Sequence, residues 1–248
     1  MRYRTRNTLD SAFWSGKLPD GIKWLLISTT AVFLLAYLTR GTSLGEVFNL
    51  FPLAPRAVIF HLAVWQLVTY LFMHGGIWHL LFNMFTLWMF GVTIERDWGT
   101  RPFLKYYFLC GIGAGICDVT VNALLGNWGS STIGASGAIF GVLLAFGLMY
   151  PEAEILFLFL FPIKAKFFVM IYGAIALLGA LNVNSGVSNV AHLGGMLFGY
   201  LYLKSWFPKL DFYAARQRYN QYKLQRAKKK FQVYMRKHGS GRGGPWIN

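Results

Sequence analysis

Long apolar runs separated by short polar stretches dominate this chain. A helix needs roughly 20 mainly apolar residues to cross the hydrocarbon of a bilayer. Six runs approach that length, at about 22–38, 74–94, 103–125, 134–150, 167–182 and 190–206. The stretch ILFLFLF, at 155–161, is also apolar but short, and it stops at Pro162. It reads as an interfacial segment or as an early part of the fifth run; a seventh span is the competing assignment. The predicted fold class is all-α, a polytopic membrane bundle of six transmembrane helices. The organisation that follows is an N-terminal segment (1–21), a six-span membrane domain (22–206) and a C-terminal tail (207–248).

The polar stretches between the runs differ in charge, and this predicts orientation, because Lys and Arg collect on the cytoplasmic side. Arg2, Arg4, Arg6 and Lys17 precede the first run. Arg96, Arg101 and Lys105 lie between the second and third, and Lys164 and Lys166 between the fourth and fifth. The first loop has Arg40 and Arg56, and the loops at 126–133 and 183–189 have no charge. Alternate connections are basic, so both termini are expected in the cytoplasm. The first 21 residues are polar and basic, and no cleavable signal is expected there.

Composition supports the membrane reading. Of 248 residues, 55% are hydrophobic and only 13% charged, against about 25% charged in a soluble domain. The net charge of +15 would suit nucleic acid or a membrane. Its position decides: residues 204–248 carry twelve Lys and Arg against one acid, Asp211. A nucleic-acid binder would show its basic patch on a folded face, so no nucleic-acid partner is expected. Within 207–238, Leu224, Ala227, Phe231 and Tyr234/Met235 fall at helical spacing among Lys and Arg. That pattern fits an amphipathic helix on anionic lipid headgroups; a solvated tail that enforces orientation is the alternative. The glycine-rich end after His238 is expected to be disordered.

Few polar residues remain at membrane depth, where they are costly and mark function: His74, His79, Asn83, Asp118, Ser136 and His192. The second, fourth and sixth runs all point inward from outside. His79 and Asn83, Ser136, and His192 each lie near the start of one of them, so they share one layer in the outer half. Ser136 stands among small residues in Gly134-Ala135-Ser136-Gly137-Ala138, near a helix N-terminus that stabilises negative charge. That suits a nucleophile and its oxyanion, with His192 as general base. His79 and Asn83, at i and i+4, share a face and can donate to an oxyanion. Gly137, Gly141 and Ala145, with Gly195 and Gly199, form small-residue faces that predict close packing of the fourth and sixth runs. Cys110 and Cys117, seven apart, have neither disulfide nor metal spacing.

The segments HGGIWHLLFNM, GASGAIFG and AHLGGMLFG resemble the signature segments of rhomboid intramembrane serine proteases. The resemblance covers about residues 50–206. It implies a Ser136/His192 dyad without a catalytic acid, His79 and Asn83 on the oxyanion side with the Ser136 N–H, and Gly134 as the glycine before the serine. It also implies a structural role for His74, and a helix-holding role for Glu95 at the cytoplasmic end of the second span. Two positions depart from the family pattern. Trp65-Gln66 replaces the usual Trp-Arg of the first loop, which puts that loop's anchoring in doubt. Phe140 replaces a tyrosine that stacks on the catalytic histidine; the ring face survives, so stacking should persist.

The implied reaction is hydrolysis of peptide bonds in or near transmembrane segments of single-span or polytopic membrane proteins. The loop NVNSGVSN (182–189) is the expected cap over the site. No metal or cofactor is expected, since there is no HExxH and no P-loop. Asp118, toward the outer end of the third run, is a candidate to orient a histidine as in a triad; the simpler reading is that it is protonated or bonds a polar neighbour. Competing functions are a catalytically silent rhomboid-like protein that binds membrane clients, a Ser/His acyltransferase, and a transporter. A bacterial plasma membrane is the default location.

Overall fold

The computed structural model describes residues 17–157, 161–181 and 188–206, and, in the tail, 224–226, 228, 231, 232 and 234. Each expected run folds as a helix, because backbone polar groups in lipid must be paired within the segment. In chain order the elements are α1 (Asp20–Leu38), α2 (Ser43–Val47), α3 (Pro55–Phe60), α4 (Gln66–Thr69), α5 (Ile77–Trp98), α6 (Thr100–Leu124), α7 (Ser136–Met149), a hairpin of β1 (Glu154–Phe157) and β2 (Phe161–Lys164), α8 (Ala165–Ala180) and α9 (Asn189–Trp206). Single 3₁₀ turns follow α2 and α4, at Phe48–Leu50 and Tyr70–Phe72. By length and composition, α1, α5 and α6 could each cross a membrane; α7 and α8 are apolar but shorter, at 14 and 16 residues.

The packed centre is α6, α7 and α9. Glycines bring these backbones together. A Cβ on Gly195 would overlap the Gly137 carbonyl, and one on Gly141 would meet Cys110 and stand 3.1 Å from the Gly195 carbonyl. The expected packing of the fourth and sixth runs is therefore present, although Gly199 faces Tyr106 and Cys110 of α6. Tyrosine hydroxyls add bonds to α6: Tyr106 ties it to α7 by donating to the Gly141 carbonyl at 2.7 Å, and Tyr70, in the second 3₁₀ turn, donates to the Gly111 carbonyl of α6 at 2.6 Å. Both cysteines are free.

The stretch expected as interfacial or as an early part of the fifth run is not part of that helix: its described residues lie in an antiparallel β hairpin that pairs Glu154 with Lys164 and Ile155 with Ile163. Pro162, without an N–H, blocks the helix of α8 from extending backward through it. Ala165 and Lys166 start α8 with backbone bonds back to Ala153 and Pro151. The first loop holds three short helices, α2, α3 and α4.

Residues 1–208 and 209–248 form separate compact units. In the second, the described residues are helical, and Leu224, Phe231 and Tyr234 are exposed. This agrees with a helix within 207–238. Ala227, Met235 and the glycine-rich end lie outside the described residues, as do residues 1–16.

Candidate active site

Ser136 is the first residue of α7. The chain enters it through Gly134, whose φ of +117° favours glycine. Space demands glycine as well, because a Cβ there would stand 2.8 Å from His79 Nε2 and 3.9 Å from Ser136 Oγ. The Gly134 N–H donates to the Tyr70 carbonyl at 2.9 Å and fixes the approach. The first helical bond of α7 is from the Ile139 N–H to the Ala135 carbonyl. The N–H groups of Ser136, Gly137 and Ala138 precede it and point out of the helix end.

α9 carries His192 to this point. Its Nε2 lies 2.8 Å from Ser136 Oγ, hydrogen-bonding distance, across 56 residues of sequence. The close approach of Gly195, one turn beyond His192, to Gly137, the residue after Ser136, sets that spacing. Phe140 stacks on the imidazole, with ring centroids 4.2 Å apart and planes at 4°. The expected stack therefore exists without the hydroxyl. Both members of the pair are half-buried, so they remain reachable.

α5 contributes the third side. The His79 ring packs edge-on against His74, centroids 4.9 Å apart. His74 is buried; its Nδ1 is 3.4 Å from the Phe72 carbonyl, and its Nε2 has no partner among the described residues. Asn83 is 8% exposed, and its amide donates to the His79 carbonyl at 2.8 Å. One of its two amide hydrogens is thus held by its own helix, and the second is left for another acceptor.

Asp118 does not form a triad with His192. Its carboxylate is engaged by Thr132, Asn122 and Ser188 instead. Two of these partners lie in the segments that lead into α7 and α9. The doubt over Gln66 resolves in favour of an anchored loop. Gln66 is buried, its Oε1 accepts from the Ala54 N–H, and its Nε2 donates to the Leu50 carbonyl, both at 3.1 Å. Trp65 donates to the same carbonyl. The amide replaces the missing cation with neutral bonds. Glu95 is 2% exposed and holds α1 to α5, accepting from the Gly21 and Ile22 N–H groups at 2.7 Å each. Of the expected cap, only Ser188 and Asn189 are among the described residues. Sequence reasoning passed over Ser188 and Thr132. A serine just before the apolar pattern of α9 is a helix-start signal that would have found the first.

No group of three or more His, Cys, Asp or Glu among the described residues could hold a metal. The profile of the Rhomboid domain matches residues 61–208, more than half of the chain and all three polar segments just described. The chain belongs to the rhomboid family. It is therefore a membrane protein built on apolar helices. It is 31% identical over 195 residues to "Rhomboid protease GluP" of Bacillus subtilis, covering 79% of this chain and 36% of that protein. It is 34% identical over 151 residues to "Rhomboid protein 1, mitochondrial" of Saccharomyces cerevisiae, covering 59% and 42%. It is 31% identical over 134 residues to "Presenilin-associated rhomboid-like protein, mitochondrial" of Rattus norvegicus, covering 53% and 35%. The chain thus spans less than half the length of these curated relatives. They include bacterial and mitochondrial proteins, so membership assigns a membrane and not one particular membrane.

Proposed function

We propose that this rhomboid-family chain is an intramembrane serine endopeptidase whose reacting pair is Ser136 and His192. The observation that carries the reading is the 2.8 Å contact of His192 Nε2 with Ser136 Oγ. That is the reach a general base needs to take the proton of an attacking hydroxyl. Phe140 limits tilting of the imidazole by covering its face.

The cycle starts with the lone pair of neutral Nε2 accepting the Ser136 proton. Oγ attacks the scissile carbonyl of a membrane-protein substrate, and the carbonyl oxygen takes the negative charge. The Ser136 N–H, the free Asn83 hydrogen and His79 are the donors for that oxyanion, helped by the positive end of α7. The imidazolium then protonates the leaving amine. A water, deprotonated by the same Nε2, attacks the acyl-enzyme; the Oγ–acyl bond breaks, the imidazolium returns the proton to Oγ, and the new carboxyl end leaves.

Helix length supports a recessed site. The 14 residues of α7 rise about 21 Å at 1.5 Å each, against roughly 30 Å of hydrocarbon. Ser136 at its outer end therefore sits below the outer surface in our reading, with six spans and both termini cytoplasmic, as the basic connections favour. Its substrates are single-span or polytopic membrane proteins with helix-breaking residues near the outer end of a span, since an intact helix shields its peptide bonds. The domain limits stay at 22–206, and the basic tail rests on anionic lipid.

Cleavage of a single-span substrate in proteoliposomes tests this reading. Ser136→Ala and His192→Ala should insert normally and cleave nothing, and a fluorophosphonate should label Ser136 in the unaltered chain. Cleavage surviving in Ser136→Ala would refute it.

A further inference from the structure

Asp118 is the most buried carboxylate in the molecule's described residues, at 1% exposure, and the mechanism above does not use it. All its side-chain partners are donors. Thr132 Oγ1 donates to Oδ2 at 2.8 Å, Asn122 Nδ2 donates to Oδ1 at 3.2 Å, and Ser188 Oγ donates to Oδ1. Asn122 is one turn away on α6 itself and also donates to the Asp118 carbonyl at 3.0 Å. The other two come from distant segments, and each of those segments leads to one member of the reacting pair.

Thr132 belongs to the strand-like segment before α7. Its N–H and carbonyl exchange a pair of 2.9 Å bonds with Leu53. Gly134 and Ser136 follow two and four residues later. Ser188 precedes α9. Its Oγ accepts from the Ala191 N–H and its carbonyl accepts from the His192 N–H, both at 3.3 Å. A serine hydroxyl has a single hydrogen. Because that hydrogen is committed to Asp118, the oxygen faces the helix as an acceptor, which is what an N-cap requires.

We propose that Asp118 is a positioning residue: it ties the segment that delivers Ser136 to the cap of the helix that delivers His192, and so fixes their spacing without touching either. The proposal rests on the reading of Ser136 and His192 as the reacting pair. The 2.8 Å contact between them is sensitive to this tie, because misplacing a reacting group by about 1 Å costs on the order of 100-fold in rate. Release of α9's first turn moves His192 directly, since its own N–H is bound there.

Two measurements on the full chain in proteoliposomes test it. The first is hydrogen exchange at the Ala191 and His192 amides. Asp118→Ala should speed exchange there by about 10-fold or more, and Asp118→Asn, which keeps an acceptor for Ser188, by clearly less. The second is cleavage kinetics. Asp118→Ala should lower kcat by about 10- to 100-fold with KM changed less than about 2-fold, and Asp118→Asn should recover much of that loss. Ser188→Ala should lower kcat too, and the double variant should be no slower than Asp118→Ala alone, because both act through one contact. Unaltered exchange at Ala191 and His192 in Asp118→Ala would overturn the proposal. So would losses that multiply in the double variant, or equal inactivity of Asp118→Asn and Asp118→Ala with parallel loss of folded protein. Exchange does not depend on proteolysis. If the unaltered chain neither cleaves nor labels at Ser136, the proteolytic reading fails, while exchange still decides whether Asp118 orders α9.

Discussion

Removing the carboxylate of Glu95 should release the first helix. α1 has Pro19 at its N-cap position and no side-chain cap of its own. Glu95 supplies the cap from α5, with Oε1 on the Gly21 N–H and Oε2 on the Ile22 N–H, and Thr100 Oγ1 donating to Oε1 at 2.6 Å. Ile22 is fully buried, so water cannot replace the lost acceptor. Glu95→Ala leaves two backbone donors unpaired at about 1–3 kcal/mol each, and forfeits about 0.3–1 kcal/mol of attraction to the helix end. A loss of about 4 kcal/mol follows, or roughly 8–16 °C in Tm for a chain of this size. Glu95→Gln keeps one acceptor oxygen and should fall between. Gly21→Ala is an independent probe, because its Cβ would stand 2.9 Å from Glu95 Oε1 and push the carboxylate off without removing it. Thermal unfolding in detergent, followed by tryptophan fluorescence, measures all three. Glu95→Ala within about 2 °C of the unaltered chain, against the 8–16 °C expected, would refute the capping argument.

Further expectations concern packing, the first loop and pH. Gly195→Val should abolish folded protein, or lower Tm by more than Gly199→Ala does, because its side chain overlaps the Gly137 backbone; expression and unfolding measure it. Gln66→Leu keeps the volume but strands the Ala54 N–H, and should cost about 1–3 kcal/mol in unfolding experiments. Phe140→Ala should reduce cleavage about 2- to 10-fold through loss of the stack on His192, with Phe140→Tyr near normal. Lys164 and Lys166, at 2.8 and 2.6 Å, hold the Glu152 carboxyl below its ordinary pKa. Its contribution is complete above the ordinary carboxylate value of 4.5 and is lost as pH falls through the lower folded value. The Tm difference between the unaltered chain and Glu152→Gln, worth less than about 1 kcal/mol at pH 7 because both lysines are solvent-exposed, should therefore shrink progressively as pH falls below 4.5.

The helices and the candidate site residues were legible for one reason: lipid leaves few acceptable residues. A backbone in hydrocarbon must be helical, so apolar length alone located all six helices to within a few residues. The same cost makes every polar residue conspicuous, and that is how Ser136, His192 and His79 stood out together. The hairpin escaped because ILFLFLF carries no turn residue and its apolar positions fit a helix or a strand equally. Only Pro162 hinted at a break. Asp118 was visible as an isolated acid, and its simpler reading, a bond to a polar neighbour, holds, but which neighbour stayed hidden, because the sequence shows charge and depth and does not show rotation about a helix axis. Its real partners, Thr132 and Ser188, sit in connections whose polarity looks ordinary from sequence. Gln66 shows the converse. Read as the loss of an arginine it suggested a loosened loop, yet a buried amide can donate and accept at once, and here it does both. Where function depends on which residues are affordable in lipid, the sequence discloses it. Where it depends on which of two donors reaches one acceptor, it takes coordinates, and for that reason the bonds from Thr132 and Ser188 to Asp118 emerge only from the folded chain.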